Sequence, residues 1–199
     1  MSKNRRHSKY EHHKYKVIHK NCGHGARSKV SVVKRKSDGK LLIWKRPKSH
    51  NYMYQESFRK ELKKVKQWRK FGISKVKARW HPDRLSLLKT YIKGPSLKQV
   101  LRKNPEFFSR GQGKHFEALK KFVGLLVDSE NYIHDLKGSN LFFDGKNWNV
   151  VDTGPIRKIS TRSETIREYR KHLLEKWSKS LHAKEEIKSL VSFLEKYCY

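Results

Sequence analysis

Along residues 15–45 the apolar positions come in short runs, "YKVIHK", "KVSVVKRK" and "KLLIWK", each bounded by charged or turn-forming residues. Runs of this length, rich in β-branched side chains, read as strands, and "SDG" between the last two is a hairpin turn signal. Three antiparallel strands are predicted. Over residues 54–71 the period changes: Phe58, Leu62, Val65 and Trp68 fall three or four apart, the spacing of one helix face, and Gly72 supplies a stop. "ISKVKARW" and "RLSLLKTYI" then return to strand-like runs on either side of "HPDR", whose residues favour a turn.

"KGPS" interrupts the pattern before "LKQVLRK" begins another helix, which makes residues 91–96 the expected connection between two lobes. A longer helix over residues 114–131 carries Phe116, Leu119, Phe122, Val123 and Leu126 on one side, enough to form the core of a second lobe. "LFFDGKNWNVV" follows as strand, turn and strand. Beyond residue 155 come two helical patterns, "SETIREYRKHLLEKWSKSL", with Ser163 as its expected cap, and "KEEIKSLVSFLEKYCY". Residues 1–14 are polar and lack any apolar period, as a flexible basic arm does. The fold class expected from this pattern is α+β: an arm over 1–14, a lobe with a small antiparallel sheet over 15–92, and a helical lobe over 93–199.

Charge adds a property that the apolar pattern does not contain. Lys and Arg total 49 against 18 Asp and Glu, a formal net charge of +31, so phosphates, acidic proteins and anionic lipid surfaces are all attracted. The basic residues are interleaved with apolar ones along the whole chain, as on a folded domain with a cationic surface. Nucleic-acid binding, with Trp44, Trp68, Trp80 and the tyrosines as stacking platforms, is therefore a rival to any enzymatic reading. Cys22 and Cys198 are the only cysteines, too few for a disulfide framework and without the spacing of a zinc site. No apolar stretch approaches the roughly 20 residues that cross a bilayer, and the polar N-terminus lacks the apolar centre of a cleaved signal.

The candidate chemistry lies in "HDLKGSN" and "VDTGP". Asp135 is followed by Lys137 and Asn140, and Asp152 comes after the strand-turn-strand. Phosphoryl transfer needs these parts: a carboxylate beside the attacking hydroxyl, a cation on the moving phosphate, and oxygen ligands for magnesium. Their order and spacing resemble the catalytic loop and the metal-binding motif of protein kinases. The resemblance implies that Asp135 is the catalytic aspartate, Lys137 the phosphate-contacting lysine, and Asn140 and Asp152 the ligands of Mg2+.

Upstream the resemblance continues. "GHGARSKV" matches the glycine-rich loop through Gly23, Gly25 and Val30, with Ser28 in place of the third glycine. "LLIWK" ends in Lys45, which corresponds to the strand lysine, and Glu61 to the helix glutamate that would hold it; Glu56 is the alternative partner. Tyr91, Ile92, Lys93 and Gly94 correspond to the backbone that holds adenine, with Val30, Ile43 and Phe142 as apolar walls. The pattern departs from the family where Ile133 and His134 stand for the His-Arg before the catalytic aspartate, and where Thr153 replaces the phenylalanine after the metal aspartate. The first departure takes away the basic anchor of a phosphorylated activation loop, so control by loop phosphorylation is not expected; no counterpart of the later Ala-Pro-Glu motif follows, and only about 45 residues remain for the helical subdomain.

Such a short chain is similar to the minimal kinase-fold effectors that bacteria inject into host cells, one family of which phosphorylates the heat-shock chaperone of the ninety-kilodalton class. The resemblance implies a two-lobed kinase-like fold of reduced size and a serine/threonine kinase dependent on ATP and Mg2+. It implies a protein substrate, with a host chaperone as one candidate, and virulence as the setting. The expected location is the cytoplasm, or a host cell reached by a route without a cleaved signal. Small lipopolysaccharide or sugar kinases of the same fold are the alternative in the same class.

Overall fold

The structure is a computed structural model that describes residues 14–24, 28–48, 52–82, 85–104, 107, 113–177 and 187–196. Most of the expected arm, together with Gly25 and Cys198, lies outside the described residues. The chain divides into two compact units, one of Met1–Lys66 with Val76–Tyr91, the other of Gln67–Lys75 with Ile92–Tyr199. Both strands and helices are present, so the architecture is α+β. No helix among the described residues is long and apolar enough to cross a membrane.

The first unit holds a five-stranded antiparallel sheet in the order β1 (Tyr15–His24), β2 (Ser28–Arg35), β3 (Leu41–Pro47), β5 (Leu87–Thr90), β4 (Ala78–Trp80). The turn between β2 and β3 uses the residues that "SDG" promised: Gly39 sits at φ +69, and the Asp38 carboxylate accepts from Lys40 N at 3.2 Å. Alternation along the strands then separates two faces. One carries Tyr15, Val33, Leu42, Trp44 and Leu88 as a buried cluster, over which His81 stacks on Trp44 at 5.1 Å. The other carries Val30, Ile43, Lys45, Leu87 and Lys89, as the register requires. Helix α1 (Tyr52–Lys70) reaches this second face: its Phe58 ring meets Trp80, the register partner of Leu87, at 6.3 Å.

Three expectations change here. β1 runs past the anticipated loop to His24, and Gly23 pairs with Val30 inside the ladder after register shifts at Val17/His19 and His19/Gly23. Glycine in a strand suits such irregularities. Leu62 is only half-buried, whereas its neighbour Glu61 is buried. The run from residue 73 shortens to β4, because Ser74 Oγ donates to Val150 O at 2.8 Å and Lys75 N to Asn149 Oδ1 at 2.9 Å, which takes those residues into the second unit.

The second unit is built around α3 (Lys114–Asp128), whose Phe116, Leu119, Phe122, Val123 and Leu126 are all buried as their spacing requires. Ser96 caps α2 (Leu97–Lys103) in a reciprocal box with Gln99. α3 ends before residue 131, because β6 (Asn131–Ile133) leaves to pair with β9 (Ile156–Lys158); Glu130, at φ 50, makes the turn. β7 (Leu141–Phe143) and β8 (Trp148–Val150) form a hairpin. It is closed by Asp144, which accepts from Lys146 N and Asn147 N at 2.9 and 2.8 Å. α4 (Arg162–His172) widens into a π-helical turn, Leu173–Trp177, and α5 (Ile187–Lys196) buries Ile187, Leu190, Val191 and Leu194. Its cap is Thr161, not Ser163: the Thr161 hydroxyl accepts from Glu164 N at 3.1 Å, and Ser163 lies inside the first turn.

Candidate functional site

In the first unit the site residue is a carboxylate held between two ammonium groups. Lys45 Nζ lies 2.7 Å from Glu61 Oε2, and Lys89 Nζ lies 2.7 Å from Oε1. Phe58 and Val65 set the inward face of α1, and Glu61 falls between them, three residues after one and four before the other. Glu56 instead faces Arg59 on the helix surface at 3.8 Å. Burial by itself raises the pKa of Glu61, but Lys89 and Lys45 outweigh it and hold the carboxyl below the ordinary range. Val30 and Ile43, half-buried, share the sheet face of Lys45, and Ser28, buried, begins β2 on the same side.

In the second unit Asp135, Lys137, Asn140 and Asp152 are brought together through the backbone. β6 pairs with β9, and beyond the last pair His134 N donates to Pro155 O at 2.9 Å while Gly154 N donates to His134 O at 2.8 Å. The absence of a side chain at Gly154 eases this approach, since a Cβ there would lie 3.0 Å from His134 O, tighter than an ordinary contact. Asp135, next in the chain, has a left-handed backbone, φ 58. From the other side the β7–β8 ladder extends by one bond, Val151 N to Asn140 O at 2.9 Å, which puts Asn140 and Asp152 at the same open end. Lys137 Nζ sits 2.9 Å from Asp135 Oδ1, and Asp152 Oδ1 accepts from Thr153 N at 3.0 Å.

Four aromatic or histidine side chains that sequence reasoning missed hold this loop. Leu136 O accepts from both His172 Nε2, at 2.9 Å, and Trp177 Nε1, at 2.6 Å. A carbonyl can only accept, so Nε2 carries the proton and Nδ1 is left to accept from the Tyr132 hydroxyl at 2.8 Å. Burial lowers the His172 pKa, which favours this neutral tautomer. Tyr169 adds a third support, donating to Asn131 O at 2.8 Å and accepting from Ile133 N at 3.1 Å. On a regular α-helix His172 and Trp177 would point about 140° apart; the π-helical turn narrows that angle so that both reach one carbonyl.

Of the other predicted positions, Tyr91 is half-buried, Ile92 buried and Lys93 exposed. Gly94, at φ 148, approaches Phe143 so closely that a Cβ would lie 1.8 Å from its carbonyl oxygen. Gly23 is a ladder residue, as described. Trp44 and Trp68 are 7% and 0% exposed, so neither is a platform on which a base can stack. Trp80 is half-buried, its ring 6.3 Å from that of Phe58, so two of the three tryptophans are withdrawn from the nucleic-acid reading.

The donor chemistry fits the groups that a kinase would require. Asn140 and Asp152 offer one amide and one carboxylate oxygen, the hard ligands from which Mg2+ is held when phosphates and water complete its shell. The Lys45 ammonium, beside apolar Val30 and Ile43, suits the phosphates and ring of a nucleotide. Compared with models of protein families and with curated proteins, the chain matches none.

Proposed function

We propose that the chain is an ATP- and Mg2+-dependent phosphotransferase of the protein-kinase kind that acts on serine or threonine hydroxyls of a protein. The observation that carries this reading is the ion pair of Lys45, half-buried, with the buried Glu61. A buried ion pair is a poor source of stability, since apolar residues of similar volume serve the fold as well or better. Its presence between a strand and a helix therefore favours a functional role.

Lys45 holds the non-transferred phosphates, kept in position by Glu61. Asp135 accepts the proton as the acceptor oxygen bonds to the γ-phosphorus and the bond to the ADP oxygen breaks. Lys137, already beside Asp135, follows the charge on the moving group. Asn140 and Asp152 would hold Mg2+, which neutralises charge on the β- and γ-phosphate oxygens when bound. The pinned Leu136 carbonyl fixes the backbone from which Asp135 and Lys137 project.

The test incubates the purified chain with labelled ATP and Mg2+, alone, with protein acceptors including a ninety-kilodalton heat-shock chaperone, and with lipopolysaccharide core sugars. Label on serine or threonine is expected, and it should be abolished in Asp152→Ala with the far-UV circular dichroism unchanged. Label on sugar alone would move the acceptor to the alternative class. Full transfer by Asp152→Ala, or salt-sensitive RNA binding with no transfer by the wild type, would overturn the reading.

A further inference from the structure

Glu61 has two cationic partners, and the reaction above uses only one. Each carboxylate oxygen has its own ammonium, Lys45 on Oε2 and Lys89 on Oε1, both at 2.7 Å. The register explains how both arrive: Lys45 pairs with Leu87 and Ile43 with Lys89, so the lysines are diagonal neighbours on one face of adjacent strands. β5 is an interior strand, between β3 and β4, and its Leu87 and Leu88 are buried. A lysine only 5% exposed at such a position is costly where a leucine would pack, so stability does not account for it.

On the proposed reaction, Lys45 serves two anions, Glu61 and the nucleotide phosphates, and closer contact with the phosphates loosens its bond to Glu61. If Lys45 were the only partner, the buried carboxylate would resist that movement, because a charge left uncompensated in the core is strongly unfavourable. An ammonium fixed on Oε1 removes the conflict. We infer that Lys89 is a positioning residue, which keeps Glu61 ionised and in place so that the Lys45 ammonium is released to the phosphates. Both ammonium groups pull the Glu61 carboxyl below its ordinary range. It follows that α1 is held against the sheet before any nucleotide arrives, by a bond that the nucleotide does not compete for.

The inference rests on the nucleotide-binding reading, and fluorescence anisotropy of mant-ADP with Mg2+ separates the two. Lys89→Met should weaken binding about tenfold, because Lys45 is then the sole partner of Glu61. Lys89→Arg, which keeps the charge, should stay within roughly threefold of the wild type. In a Glu61→Gln background, Lys89→Met should change affinity by less than about twofold, since Lys89 acts through Glu61. A purely structural role would lower the melting temperature of Lys89→Met and leave the affinity of the folded fraction unchanged. That result, or the same tenfold loss in both backgrounds, overturns the inference and leaves the nucleotide reading standing. A wild-type chain that binds no mant-ADP removes both. If Lys89→Met fails to fold, Lys89→Gln, neutral but able to donate to Oε1, is read in the same way.

Discussion

Leu136 O accepts two hydrogen bonds from buried donors five residues apart, and removing them singly and together should reveal a coupling that the separate contacts do not contain. Trp177→Phe deletes the shorter bond and leaves the carbonyl paired with His172. The expected loss is about 1 kcal/mol for the bond and about 1 kcal/mol for the void where indole becomes phenyl. His172→Phe keeps a ring in place but deletes the other bond and the acceptor of the Tyr132 hydroxyl, for about 1–2 kcal/mol. In either single variant the carbonyl still has a partner. In the double variant it has neither, and an orphaned buried carbonyl adds a desolvation penalty of about 1–3 kcal/mol. Urea unfolding followed by circular dichroism should therefore show a double variant less stable than the sum of the singles by at least about 1 kcal/mol. Additivity within about 0.5 kcal/mol would refute a shared acceptor. On the proposed function, transfer should fall by lower kcat more than by higher KM, since Asp135 is the residue that loses its fixed backbone.

Gly94→Ala should destabilise the second unit by about 2 kcal/mol or more, because its Cβ would sit 1.8 Å from Phe143 O and the backbone there is already bonded, Phe143 N to Pro95 O at 2.9 Å. A wild-type melting temperature would contradict that close approach. Asp144→Ala should lose about 2–3 kcal/mol, since the carboxylate accepts from Lys146 N, Asn147 N and Asn149 Nδ2 and pairs with Lys75; Asp144→Asn, which keeps one acceptor oxygen, should lose less. Equal losses would mean that charge, not the turn bonds, sets the effect. Glu61 gives a pH dependence: its folded pKa is below the ordinary 4.5, so its contribution is full above 4.5 and is lost as pH falls through the lower folded value. Glu61→Gln should flatten that limb of an acid-unfolding curve, and an unchanged limb would show that the carboxylate is not ion-paired in solution.

Local pattern carried the elements that are local in nature. The "SDG" hairpin, the buried face of α3 and the start of α2 after "KGPS" follow from turn chemistry and from spacing. Glu61 was legible over Glu56 because Phe58 and Leu62 frame it, although Leu62 is only half-buried and it is Val65 that shares the inward face with Phe58. β6 and β9 were not, since each has three residues and their pairing spans more than twenty positions, so neither shows a period. Thr161 was readable: Thr161-Arg162-Ser163-Glu164 is the Thr-x-x-Glu signature of a helix start, and Ser163 merely lies nearer the apolar run. Lys89 gave a faint signal, since strand alternation from Leu87 points it to the same face, but one lysine among 49 basic residues does not stand out. His172 and Trp177 gave none. Their common target depends on a π-helical turn and on a carbonyl in a distant loop.

In a chain with 18 acidic residues against 49 basic ones, every carboxylate can find a cation, so pairing by itself says little and environment must separate the roles. Glu61 and Asp144 are enclosed, with side chains 6% exposed, and each is surrounded by donors that keep it ionised in spite of burial. Asp135 is the opposite case. Its side chain is 54% exposed and its partner Lys137 58% exposed, a pair whose attraction is worth at most about 1 kcal/mol in water. Its left-handed backbone, φ 58, costs about as much as that pair returns. The fold nevertheless fixes the next carbonyl with two buried side chains and presses Gly154 against the preceding residue. Buried polar bonds that hold an exposed carboxylate in an unfavourable backbone conformation do not serve stability at that residue. On the proposed function they serve the direction in which the carboxylate points, as a group that must meet a proton on another molecule requires.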